Sequence, residues 1–392
     1  MIHEKIDAAA PASGLSRYLW LLLPVATLAA AIVWLLQTNP LQSFNNGAPP
    51  VENLTIERTI LDHDGVRLFV RAGGSDPMVI AQVQVDAAYW EFNQEPQGPI
   101  ARGDTAWISL PFPWVLGETH NVTFVTNTGA TFDHQISVAV ATSGSLWSQA
   151  ILGAFVGILP VAIGLMCYPA LRGAGQGTMT FLLALTVGLL AFLLVDTLVE
   201  ALEFASVSAP IFQGSVMVVL TAAASFLVLM AVGRRRGTPT GLALATFIAF
   251  GIGLHNFGEG LAIGAAFAAG SAGLGTFLVL GFTLHNITEG IGIAAPILKV
   301  KPSLQSFVGL ALLAGGPAVV GIWTGSLAYA PQWTAIALAI GAGAIAQVIV
   351  EVSSLIGRSN GQGVKTLLSP ASFAGLASGV VVMYATAMLV KI

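Results

Sequence analysis

The chain has 392 residues, 55% of them hydrophobic and only 9% charged, with a mean hydropathy of +0.81. Soluble domains carry about 25% charged residues, so the composition excludes an ordinary soluble globular protein and reads as an integral membrane protein. A net charge of −4 without a basic patch argues against a nucleic-acid partner, and the single cysteine, Cys167, rules out an intrachain disulfide and any multi-cysteine metal site.

In chain order, residues 1–37 read as a short N-terminal tip and a signal-anchor helix. The apolar stretch Tyr18 to Leu36 is longer than the ~7–15-residue core of a cleaved leader, and no small-residue cleavage site follows it; cleavage is the alternative. Residues 38–145 differ in character, holding eleven of the nineteen Asp and Glu. Short alternating runs there ("VRLFVRAG", "MVIAQVQVDAAYW", "AWISLPF", "HNVTFVTNTGATFDHQISVAV") predict strands. Turn signals fall at Asp64 and Gly65, Gly73 and Gly74, Thr128 and Gly129. Close spacing of such strands predicts a small all-β sandwich.

Residues 146–392 are almost wholly apolar. Eight spans are predicted, over 147–171, 178–206, 211–233, 240–270, 273–298, 304–330, 332–357 and 370–391, each near or above the ~20 residues needed to cross hydrocarbon. Arg172, Arg234, Arg235, Arg236, Lys299, Lys301, Arg358 and Lys365 all follow odd-numbered spans, and only Lys391 falls at the other side. The excess of Lys and Arg on cytoplasmic loops then orients the chain in the plasma (cytoplasmic) membrane, with those loops inside and the β domain and C-terminus outside.

The acids show the opposite distribution. After residue 150 there are six, Asp196, Glu200, Glu203, Glu259, Glu289 and Glu351, and every one lies inside a predicted span. An ionised group at mid-bilayer costs about 2.5–3.5 kcal/mol even on lenient scales, so intramembrane acids mark a functional path by default. Asp196, Glu200 and Glu203 fall at i, i+4 and i+7 and form one stripe in the outer half of span two. Gln347 and Glu351 sit one turn apart in the inner third of span seven and suit the other end of the same path.

Two stretches repeat a pattern: "HNFGEG", with His255, Asn256 and Glu259, and "HNITEG", with His285, Asn286 and Glu289. In each, His and Glu are four residues apart and share a helix face near mid-depth. Antiparallel neighbours joined by a short loop can bring two imidazoles and two carboxylates onto one cation. Nitrogen and carboxylate donors suit Zn²⁺, Fe²⁺ or Mn²⁺, and the two asparagines can add an amide oxygen or a supporting hydrogen bond. One such pair could equally be a buried clamp between helices; a matched second copy weighs against that. In the β domain, His63 and His134 lie beside acids and His120 is the remaining histidine, but such neighbours are common in surface turns and metal capture there is the lesser reading.

Over residues 147–392 these motifs resemble the ZIP family of divalent-metal transporters. Its members have eight spans, both ends outside, and motifs of the type His-Asn-x-Pro-Glu-Gly in spans four and five. The resemblance implies that His255, Glu259, His285 and Glu289 form a transport site. It also places Asn256 and Asn286 where some members bind a second metal, and Asp196 where members carry a polar residue in span two. Two departures stand out. The motif proline is replaced by Gly258 and Thr288, and span six reads Gly316-Pro317 where many members have Glu-Pro, which points to one metal rather than two.

The expectation is therefore a non-enzymatic transporter. It would be a ZIP-like eight-helix bundle preceded by one anchor helix and a β sandwich, carrying Zn²⁺ or a related divalent ion as cargo without an organic cofactor. The expected partners are membrane lipid, the ion and, as an option, a second copy of the chain. The alternatives are a metal-binding receptor or sensor signalling through the outer domain, and an intramembrane metal hydrolase.

Overall fold

The computed structural model describes residues 14–38, 51–136, 146–235, 237–268, 272–327, 330–359 and 363–390. The chain divides into two compact units at Pro50. In the first, α1 (Gly14–Thr38) covers the expected anchor.

The second unit begins with eight strands: β1 Leu54–Asp62, β2 Gly65–Ala72, β3 Ile80–Val85, β4 Ala88–Trp90, β5 Asn93–Glu95, β6 Thr105–Leu110, β7 His120–Thr126 and β8 Thr131–Ile136. They make two antiparallel four-stranded sheets, ordered β1-β2-β6-β5 and β4-β3-β7-β8. Alternation drives the pairing. Along β6 and β7 every second residue is buried, and Leu68, Val70 and Ile108 of one sheet share a core with Val83, Val122 and Phe124 of the other.

Two strands escaped the sequence reading. The pattern of β1 is broken by a bulge between Ile56 and Arg58, which leaves Glu57 buried against the guanidinium of Arg71. The other, β5, is three residues long, too short for alternation to show.

The helices of the bundle follow: α2 Leu146–Arg172, α3 Gln176–Ser206, α4 Gly214–Arg234, α5 Gly241–Ala268, α6 Ala272–Ala294, α7 Leu304–Leu327, α8 Pro331–Ser359 and α9 Pro370–Val390. Among the described residues, six are long and apolar enough to cross a membrane, namely α2, α3, α4 (from Pro210), α5, α7 and α8. The helices α6 and α9 occupy the positions of expected spans five and eight without joining those six.

The β domain meets the bundle at one end. Arg58 Nη1 and Nη2 donate to the carbonyls of Leu327 (2.6 Å) and Ser326 (3.2 Å), so a cation sits at the carbonyl terminus of α7, where the helix dipole favours it. Arg71 lies over the Phe212 ring, 5.4 Å from its centroid, in the link before α4. Arg172, Arg234, Lys299, Lys301 and Arg358 all lie at helix ends or links belonging to the opposite end of the bundle.

Small residues set the helix spacing. A Cβ on Gly260 or Gly264 of α5 would come within 2.3 Å of the Ala318 or Ile322 carbonyl of α7, and one on Gly321 or Gly325 of α7 within 2.2 Å of the Phe257 or Leu261 carbonyl of α5. The same backbone contact joins α2 to α6, where a Cβ on Gly290 would meet the Val161 carbonyl at 2.3 Å and one on Gly164 the Ile287 carbonyl at 2.0 Å. Lipid provides no hydrophobic drive between helices, so close van der Waals approach of this kind must hold them.

Candidate metal centre

The seam against α7 fixes which way α5 presents its other faces. Four residues after His255, Glu259 returns to the same side, and its Oε1 lies 2.8 Å from His255 Nε2. The same oxygen is 2.9 Å from His285 Nε2 on α6. The two imidazole centroids are 6.1 Å apart, with ring planes inclined at 39°. All three side chains are buried, and their donor atoms lie within 4.8 Å of one another. The close contacts fall outside hydrogen-bond alignment, since His255 Nε2, His285 Nε2 and Glu259 Oε1 have no hydrogen-bond partner.

Glu289 is equally buried, lies within electrostatic range of both histidines and Glu259, and has neither carboxylate oxygen hydrogen-bonded. The asparagines take matching roles. Asn256 Nδ2 donates to the Ala314 carbonyl of α7 and Asn286 Nδ2 to the Val156 carbonyl of α2, each at 3.0 Å. Both Oδ1 atoms are buried without a donor. Six oxygens of Asn256, Glu259, Asn286 and Glu289 thus lack an aligned hydrogen bond, although Glu259 Oε1 meets two imidazole nitrogens. Each unsatisfied buried acceptor costs about 1–3 kcal/mol. His255, Glu259 and His285 could hold a cation, and mixed imidazole and carboxylate donors suit a divalent transition metal.

The two halves are built alike but not residue for residue. On α7 the carbonyl that holds Asn256 (Ala314) and the one that abuts Gly260 (Ala318) are four apart; on α2 the corresponding carbonyls, Val156 and Val161, are five apart. The π-turn Ala154–Ile158 supplies the extra residue, closing with the Leu159 N–H on the Ala154 carbonyl. In α7 the comparable stretch contains Pro317, which leaves the Leu313 carbonyl without its helical N–H.

At the two substituted motif positions, Thr288 Oγ1 bonds back to the His285 carbonyl at 2.6 Å, as a mid-helix threonine can. Gly258 faces α8, where an added Cβ would lie 3.1 Å from the Ala337 carbonyl.

The remaining path residues lie on α3 and α8. Asp196 and Glu200 on α3 are half-buried and Glu203 is exposed; Asp196 lies within electrostatic range of His285. Gln347 and Glu351 of α8 are fully buried, and neither side chain has a hydrogen-bond partner. Glu351 faces Arg234 of α4 at 3.6 Å and Arg358 of its own helix at 4.0 Å. The sequence reading used these arginines only for orientation, and no spacing linked Arg234 to Glu351. It also missed the carbonyls of Val156 and Ala314, which no side-chain pattern can reveal.

The histidines of the β domain are dispersed. His120 Nδ1 contacts Asp86 at 2.8 Å, and His134 Nε2 contacts the Thr59 hydroxyl at 2.8 Å. His63 sits with Asp62 and Asp64 in an open turn, where its ring is exposed.

No protein-family model matches the chain, and no curated protein matches its sequence.

Proposed function

We propose that the chain moves a divalent transition-metal cation, Zn²⁺ foremost, across the plasma membrane through the centre formed by α5 and α6. The observation that carries this reading is the convergence of His255, Glu259 and His285, with Glu289 in electrostatic range, in a buried position with unsatisfied acceptors. A structural clamp would have paired those acceptors with donors.

In the mechanism this implies, α3 presents Asp196 and Glu200 toward an arriving ion. Water is exchanged for His255, Glu259, His285 and Glu289 at mid-depth, and the ion leaves past Gln347 and Glu351. Opening to one side at a time follows the general logic of sites buried between helices at the membrane midplane. Protons compete with metal for the same oxygens and nitrogens, so loading falls in acid. The ZIP-like arrangement, eight spans with both ends outside and one central ion, belongs to this proposal. So does assigning the arginine-bearing end of the bundle to the cytoplasm.

The test is ion flux into liposomes holding the purified full chain, with Zn²⁺, Mn²⁺, Fe²⁺ and Cd²⁺ offered in turn. Protein-dependent flux that vanishes in Glu259→Gln and His285→Ala supports the proposal. Folded protein that binds Zn²⁺ without passing any of the four ions sinks it.

One contact favours a second reading, a metal sensor. Arg58 ties the β domain to the end of α7, and α7 also holds Asn256. Metal-dependent change in amide exchange over residues 51–136 in the absence of flux is the outcome that would select it.

A further inference from the structure

Away from the metal centre, an apolar groove of about 540 Å³ runs between α2 and α7 on the outer face of the bundle. Its walls include Ile158, Ala162 and Met166 from α2 and Phe307, Val308 and Ala311 from α7. The size falls within the ~300–1,000 Å³ that holds small organic ligands. The lining is almost free of polar surface, and Met166 is 77% exposed along it.

One end of this groove is basic. Tyr168, which lines it, donates its hydroxyl to the Val300 carbonyl at 2.5 Å. That bond brings the last turn of α2, ending in Arg172, against the segment that carries Lys299 and Lys301 and leads into Leu304 at the groove wall. All three cations are exposed, and among the described residues none forms an ion pair. Glu351, the carboxylate nearest that end along the sequence of α8, faces Arg234 and Arg358 instead.

We propose that this groove binds an anionic phospholipid, with one acyl chain lying between α2 and α7 and the phosphate held by Arg172, Lys299 and Lys301. Apolar grooves with basic rims at one membrane face are recognised by anionic head groups. The charges also select lipid over a second copy of this chain, because a two-fold contact across the groove would set like cations against each other. The acyl chain would lie beside the crossing where Gly157 and Gly315 bring the two backbones together, one residue from the Val156 and Ala314 carbonyls that hold the asparagines. The binding stands whether or not the bundle transports a metal.

Native mass spectrometry of the delipidated full chain tests this, with phosphatidylglycerol and phosphatidylcholine of identical acyl composition as probes. The expected result is retention of phosphatidylglycerol at least about tenfold tighter than phosphatidylcholine. The triple variant Arg172→Gln, Lys299→Gln, Lys301→Gln should lose that preference, while Lys365→Gln, outside the rim, keeps it. Ala311→Trp should weaken both lipids by filling the groove. A photoreactive phosphatidylglycerol on the unaltered chain needs no variant to fold, and it should label residues 158–172 and 299–312. Equal retention of the two lipids, an unchanged preference in the triple variant, or labelling spread evenly over the bundle would each overturn the proposal. A dimer mass abolished by Ala311→Trp would assign the groove to a second copy and overturn it as well.

Discussion

Asn286 donates to the carbonyl of Val156 across 3.0 Å, from α6 into the π-turn of α2. Asn256 makes the equivalent bond to Ala314. Each amide clamps a neighbouring helix and keeps a buried oxygen without a hydrogen-bond partner. Replacing either by Ala is expected to cost about 1–3 kcal/mol, read as a lower thermal midpoint in detergent. Asn→Asp, which keeps the shape but removes the donor and adds a buried charge, should cost more.

Gly315 and Gly316 are adjacent yet meet opposite surroundings. A Cβ on Gly315 would lie 2.5 Å from the Gly157 backbone, whereas one on Gly316 meets nothing within 4 Å. Gly315→Ala should therefore destabilise by about 1–3 kcal/mol through overpacking. Gly316→Ala should be neutral or stabilise by up to about 1 kcal/mol, the usual gain of alanine over glycine in a helix. Thermal melts of the two variants side by side decide the matter. Equal losses would mean that α2 and α7 do not touch where the structure has them.

Glu259→Gln removes the charge that two imidazoles approach, while keeping the side chain's shape. The metal-free variant should be less stable than the parent, because removing one partner of a buried contact leaves the two facing imidazoles without their carboxylate. If the proposed centre binds Zn²⁺, a saturating concentration should stabilise the parent by mass action, about 2.7 kcal/mol at a hundredfold excess over Kd. The variant should show little of that stabilisation. Thermal midpoints with and without Zn²⁺ measure both effects.

His134 gives the β domain a pH response of definite sign. Burial holds its imidazole below the ordinary value of 6.5, beside the Thr59 hydroxyl. The unfolded chain takes up the proton first. The contribution is therefore fully present above 6.5, is lost as pH falls through that value, and levels off below the folded-state pKa. Denaturation of the domain followed by tryptophan fluorescence between pH 8 and 5 should show the loss, and His134→Gln should flatten it.

Much of this was legible in the chain itself, for identifiable reasons. The strands β6 and β7 announce themselves because one face of each is buried and the other is not. The His-Asn-x-x-Glu pattern placed His255 and Glu259 on one face, since i,i+4 geometry follows from helical pitch alone. What stayed hidden depended on partners remote in sequence or on the backbone. Neither the bulge at Ile56 and Arg58, nor the approach of Arg234 to Glu351, nor the π-turn at Ala154 leaves a periodic trace. Span assignment lies between these cases. Apolar length marks α3 plainly, whereas among the described residues α6 and α9 are not in the set of six helices long and apolar enough to cross a membrane.

The one surplus residue in α2 makes the two halves of the bundle inequivalent under any cut-and-paste operation. Trimming Phe155 to regularise the helix would turn everything from Leu146 to Gly153 by about 100° against the rest. Trp323, whose indole now donates to the Leu146 carbonyl, and Ser326, which donates to Gln149, would then face the wrong side of that cylinder. A protein engineer wishing to transplant this helix must therefore carry the insertion along with it.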